Sequence, residues 1–148
     1  GSSNFGNGDE GTYPMEVKKL VNDHSDQIKF TGYIDNKDIY KYHKIADVGV
    51  IPSTYNDPCP LSMFEMITSG LPTIATAAGG MVEIGNKECT IFVTLDQLVD
   101  DIAKAIKNLY GNHDKLKLMS QAAKIRSLKF KKERFYNDFC ETIKGFIK

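Results

Sequence analysis

With 148 residues, 41% of them hydrophobic, and 19 basic side chains balancing 19 acidic ones, the chain has the size and apolar content of one globular domain and no net charge. Neutrality argues against a broad nucleic-acid or anionic-membrane surface, and no apolar run reaches the length of a membrane span. Cys59, Cys89 and Cys140 are odd in number and widely spaced, which indicates neither a disulfide framework nor a zinc site and fits a reducing cytoplasm.

The opening GSSNFGNGDEG, rich in Gly, Ser and Asn, predicts a loop, and no charged leader with an apolar segment and cleavage site is seen. Gly1-Ser2-Ser3 has two readings, an expression scar or the native end of a strand. Residues 14–24 follow a helical period through Val17, Leu20 and Val21. IKFTGYI, residues 28–34, predicts a strand that closes at Gly32. A helix follows over NKDIYKYHKIA, with Asn36 as its N-cap. DVGVIPS, residues 47–53, reads as a strand buried on both faces.

Residues 61–69 predict a helix closed by Gly70, then PTIATA and CTIFVT predict two more buried strands. Leu95, Leu98, Val99, Ile102, Ala103, Ile106 and Leu109 form a helical stripe, and two further helices are expected near 114–128 and 131–146. Strands alternating with helices imply βαβ units: an α/β, Rossmann-like, mostly parallel sheet with flanking helices. Such open sheets bind ligands at the carboxyl ends of their strands. The stretch from Ser53 to Leu61 leaves one such end and enters a helix.

The chemistry concentrates in DPCPLSMFEMITSGLPTIATAAGG, residues 57–80. Pro60 suits the first helical position, where its missing N–H costs nothing. The N–H groups of Leu61 and Ser62 then face outward at the positive end of a helix dipole, a site suited to phosphate. Asp57 lies just upstream and Glu65 about one turn further in. Two carboxylates repel a phosphate between them, but each suits a vicinal diol. Ribose and a sugar joined by a diphosphate, a nucleotide-sugar, reconciles the two. The plainer alternative makes Asp57 a turn residue before Pro58, Glu65 a surface acid and Gly79-Gly80 a turn.

With these residues in view, the segment resembles the large bacterial "group 1" family of retaining glycosyltransferases with the GT-B fold, which includes sucrose-phosphate and mannosyl transferases. The match is Asp57, PCPLSMF, Glu65, then SGLPTIAT and AAGGMVEIG, preceded by IKFTGYIDNKDIYKYHKIADVGVIPS. It covers residues 1–127, and the order of its motifs is more specific than any one of them. The resemblance implies that Asp57 and Glu65 serve catalysis, Asp57 on the donor sugar hydroxyls and Glu65 on the ribose. It implies that the backbone of Cys59, Pro60, Leu61 and Ser62 faces the diphosphate and sugar. Tyr33 and Ile34 would meet the base through their backbone. The activity implied is transfer of a sugar with retention, from a nucleoside-diphosphate sugar to an acceptor hydroxyl, in polysaccharide or glycoconjugate synthesis. No cofactor or metal is expected, because the helix dipole and basic side chains stabilise the departing diphosphate.

Three departures stand out. Asp57 replaces the family's usual Glu. The strand that precedes the family's diphosphate-binding Arg and Lys is not seen. The amino-terminal acceptor domain is not seen either. Residues 1–148 therefore read as a nucleotide-sugar-binding domain lacking its first strands, inactive alone, whose partners are the donor and the missing amino-terminal domain. Its exposed sheet would be covered by rearrangement, an oligomer or a partner. The alternative is a non-catalytic nucleotide-binding module. A nicotinamide-binding domain fits less well, since GNGDEG follows no strand and has the wrong spacing.

Among other residues, His24, His43 and His113 lack ligand spacing, Cys59 reads as local packing, and Glu83 matches a recurring family acid whose role would be to hold its loop. Lys129, Lys131, Lys132 and Arg134 with Phe130 and Phe135 form a basic-aromatic run, read first as a solvated face and second as peripheral contact with a membrane.

Overall fold

The computed structural model describes residues 12–146 except Asp23 and Ser25. The readings placed on residues 1–11, the loop and the strand end at Gly1–Ser3, lie outside the described residues. The chain divides into two units, Gly1–Ile39 and Tyr40–Lys148.

In the first unit, α1 spans Thr12–Asn22, two residues earlier than the periodicity predicts. The turn after it is closed by the N–H groups of Gln27 and Ile28, which both donate to the His24 carbonyl at 2.9 Å. Residues 28–34 form no strand. Their alternation is present, but Phe30 and Tyr33 are exposed and no ladder bond holds them among the described residues. A strand is a paired state, and without a neighbour its N–H and C=O groups turn to water. Helix α2, Asn36–Ile45, continues into the second unit. Its cap is Asp35 rather than Asn36: the Asp35 carboxylate accepts from the Lys37 N–H at 3.1 Å and its carbonyl from Asp38 at 2.8 Å.

The second unit is built on three parallel strands, β1 (Gly49–Ile51), β2 (Thr73–Thr76) and β3 (Thr90–Val93), in the order β1-β2-β3. The register pairs Ile51 with Ala75 and Ala75 with Phe92, and Val50 with Ile74 and Ile74 with Ile91. Strand alternation therefore sorts the side chains into two cores. On one face Ile51, Ala75 and Phe92 meet Met63 and Ile67 of α3 (Leu61–Thr68) and Met81 and Ile84 of α4 (Met81–Ile84). On the other, Ile74, Ile91 and Val93 meet Leu98, Ile102, Ala105 and Leu109 of α5 (Leu98–Leu109). Helix α6, His113–Ser127, supplies Met119 to one core and Ala123 to the other. A 3-10 turn, Leu128–Phe130, leads into α7, Lys132–Phe146.

The apolar stripe of α5 is wider than the surface that covers it. Val99 and Ile106 remain exposed, and Ile106 borders an apolar cleft of 380 Å³ with Val48, Val50 and Tyr110 beside β1. Helix α7 buries no residue fully, and Phe135, Phe139 and Phe146 are exposed along it.

Candidate active site

Two loops leave the carboxyl end of the sheet side by side. One runs from β1 through Asp57 to α3, the other from β2 through Gly79-Gly80 to α4. The Thr76 hydroxyl, buried at the end of β2, donates to the Ser53 carbonyl at 2.7 Å. Further out, the Gly80 N–H donates to the Asp57 carbonyl at 2.8 Å. The approach is so close that a Cβ on Gly79 would lie 2.3 Å from the Asp57 carbonyl oxygen, and one on Gly80 2.3 Å from that of Pro58. Gly79 also sits at φ +52°, in the left-handed region. The paired glycines thus do more than turn the chain: they admit the acid-bearing loop.

Asp57 is half-buried, and one of its carboxylate oxygens accepts the Cys59 N–H at 2.9 Å. This Asx turn fixes the side chain, and its other oxygen has no partner among the described residues. Pro60 is the N-cap of α3 rather than its first residue. Its ψ of 101° is extended, and its carbonyl accepts from Met63 at 3.0 Å. No side chain caps this helix, and among the described residues the N–H groups of Leu61 and Ser62 donate to nothing. Leu61 and Ser62 are exposed, so the positive end of α3 is open to solvent or ligand.

Glu65 lies one turn further along α3. The helix is held inward by Met63 and Ile67, both fully buried, which leaves the Glu65 side chain half-buried on a flank. Its carboxylate has no partner among the described residues. Its backbone carbonyl accepts from the Ser69 hydroxyl at 2.7 Å and the Thr68 hydroxyl at 3.1 Å. The structure thus puts Asp57, the open N–H groups and Glu65 on one continuous loop and helix. Cys59 is exposed. Tyr33 and Ile34 belong to the first unit, Tyr33 exposed and Ile34 half-buried.

Sequence reasoning missed the supports of this site. Glu83 is exposed and offers its backbone, not its carboxylate: its carbonyl and that of Ile84 accept from Arg126, the latter at 2.9 Å. Arg126 is one of only two arginines in the chain, which is the signal that could have drawn attention to it. Phe130 is half-buried with its ring edge-on to Phe64, centroids 4.9 Å apart, so it belongs to the core and not to a solvent-facing basic-aromatic patch. A cleft of 420 Å³ bordered by His43, Ser69, Lys117 and Lys124 contains neither acid; there His43 Nδ1 lies 3.3 Å from the Ser69 hydroxyl. No group of three or more His, Cys, Asp or Glu among the described residues could hold a metal ion. No described helix is long and apolar enough to cross a membrane.

The chain is similar to known proteins in sequence and in fold. The chain is 28% identical over 121 residues to YtcC of Bacillus subtilis, named as a glycosyltransferase, covering 81% of this chain and 30% of that protein. It is 26% identical over 122 residues to a GDP-mannose-dependent alpha-(1-6)-phosphatidylinositol monomannoside mannosyltransferase of Mycobacterium tuberculosis, covering 77% of this chain and 32% of that protein. Its fold superimposes on sucrose-phosphate synthase of Thermosynechococcus elongatus, a GT-B glycosyltransferase, with a TM-score of 0.79 at 23% identity, over 95% of this chain and 36% of the other. The chain thus spans about a third of these relatives. Residues 6–126, from before α1 to the last turn of α6, match the family described as "Glycosyl transferases group 1", and the chain belongs to that family.

Proposed function

We propose that this chain is the donor-binding portion of a retaining glycosyltransferase that moves a sugar from a nucleoside-diphosphate sugar to an acceptor hydroxyl. The observation that carries the reading is the uncapped start of α3, with the open N–H groups of Leu61 and Ser62 lying between Asp57 and Glu65 in the chain. The diphosphate sits at that helix end, where the dipole also stabilises it as it departs. Asp57, fixed by its Asx turn, accepts hydrogen bonds from the sugar hydroxyls, and Glu65 accepts them from the ribose diol. The backbone from Cys59 to Ser62 faces the ligand, and the backbone of Tyr33-Ile34 is assigned to the base from the family resemblance alone. No cofactor or metal takes part in this reading.

The acceptor is held by the amino-terminal part of the same enzyme, and the present chain alone transfers no sugar; its span of about a third of its relatives supports this division. Synthesis of a polysaccharide or glycoconjugate at the cytoplasmic side is the matching setting, and contact with a membrane surface through Lys129, Lys131, Lys132 and Arg134 remains part of the proposal. Isothermal titration of the full-length protein with UDP, GDP and ADP, followed by NMR of the product's anomeric centre, tests it. One nucleotide should bind, and the product should keep the donor's anomeric configuration. Binding of none of the three, or inversion at that centre, overturns the reading.

A further inference from the structure

We infer that Arg126 of α6 is a positioning residue for the acid loop, acting on Asp57 through α4 and Gly80; its effect on turnover rests on the donor-binding reading above. Helix α4 is a single turn, so its backbone groups have few partners of their own. At its carboxyl end, Arg126 takes two successive carbonyls: Nε donates to Ile84 at 2.9 Å and Nη2 to Glu83. A planar guanidinium with a fixed fork of donors can hold both at once, whereas an ammonium is a single point. Two bonds from one rigid group fix the orientation of the turn as well as its place.

At the other end of α4, the Gly80 carbonyl accepts from Glu83 at 3.1 Å and from Ile84 at 3.0 Å, the same two residues whose own carbonyls Arg126 holds. The Gly80 N–H donates to the Asp57 carbonyl at 2.8 Å, and the contact there leaves no room for a methyl group. A shift of α4 is therefore passed to Asp57 without slack. Arg126 also lies over the Phe130 ring, 5.4 Å from its centroid, and Phe130 meets Phe64, the neighbour of Glu65 in α3. The ring contact steadies the guanidinium, while its hydrogen bonds go to the support of Asp57 alone. Arg126 is half-buried and makes no ion pair among the described residues; all its recorded bonds go to backbone carbonyls of α4.

The test uses the full-length protein with Arg126→Gln and Arg126→Lys. Hydrogen exchange at the Gly80 and Cys59 amides, melting temperature, turnover with the nucleotide-sugar per folded molecule, and affinity for the free nucleoside diphosphate are measured. Arg126→Gln should speed exchange at both amides by roughly tenfold, the scale of one lost charge-assisted bond. Turnover should fall about tenfold to a hundredfold, as expected for a catalytic group displaced by a fraction of an ångström to one ångström. Affinity for the free diphosphate should stay within about twofold. Arg126→Lys, which keeps the stem, the charge and one donor, should fall between, and it serves alone if the glutamine variant does not fold. A lower melting temperature with unchanged exchange at Gly80 and Cys59 and unchanged turnover per folded molecule would make Arg126 a stabilising residue only and overturn the inference. If the parent binds no nucleoside diphosphate, the donor reading fails, while the exchange data still decide whether Arg126 holds the loop.

Discussion

Asp57 and Glu65 differ in how they are held, and that difference predicts different roles. Glu65 projects from a helix anchored by two fully buried neighbours, and its carboxylate has no partner among the described residues. Replacing it with alanine in the full-length protein should leave the fold intact and cost about 1.5–3 kcal/mol of donor affinity, the worth of hydrogen bonds to a charged group. Titration with the nucleotide checks this, and an affinity within twofold of the parent would remove Glu65 from the ribose. Asp57 spends one oxygen on Cys59, so it shapes the loop and has one oxygen without a partner among the described residues. Asp57→Asn keeps an oxygen for that turn but removes the charge. Turnover with the nucleotide-sugar should drop while affinity for the free diphosphate holds, because only contacts that strengthen as the sugar leaves raise turnover. Equal losses in both would confine Asp57 to the turn. The residue types, their spacing and a turn at Asp57 were legible in the sequence; the N–H that closes that turn and the lack of a partner for Glu65 among the described residues were not, since both depend on which neighbours the fold supplies.

At the scale of elements, the sequence is most informative where apolar runs are continuous. The strands predicted at 47–53, 72–77 and 89–94 all contain observed ones, but only β2 is buried along its whole length; β1, expected to be covered on both faces, leaves Val50 exposed at the cleft beside it. The helix from Leu61 was legible through Pro60 before it and Gly70 after it, although Pro60 proves to be the cap. Helix α4 was invisible, because four residues carry no period to read. The strand expected at 28–34 failed for the opposite reason: its period was right, but pairing is a property of two segments. What joined the two site loops also escaped, since the Gly79-Gly80 pair looks like any turn until the opposing backbone is seen. That contact yields a sharp expectation. Gly79→Ala should destabilise the protein by about 1–3 kcal/mol from left-handed strain and backbone collision, and lower turnover beyond what lost folded protein explains. Chemical denaturation beside active-site titration separates the two; a stability change under 0.5 kcal/mol would mean that the loops part easily.

At the scale of the molecule, two groups of apolar side chains in the second unit stand out among those left uncovered. Val48, Val50 and Ile106 border the cleft beside β1, and α7 carries Phe135, Phe139 and Phe146 into solvent. Exposed apolar area of this kind marks surfaces that bind something. The present chain, made alone, should self-associate at micromolar concentration in sedimentation velocity. The full-length protein should not. Phe139→Lys together with Phe146→Lys should reduce that association; a strictly monomeric chain would show that the exposed faces are tolerated by themselves.

The three thiols stand at three depths, Cys59 exposed at the acid loop, Cys140 half-buried on α7 and Cys89 buried in the core. A thiol reagent therefore reads the molecule as a graded clock. Cys59 should be alkylated first, and more slowly when a nucleotide covers the start of α3. Cys89 should wait for global opening, so its rate tracks stability alone. One labelling time course would then report occupancy and unfolding separately, with no engineered probe.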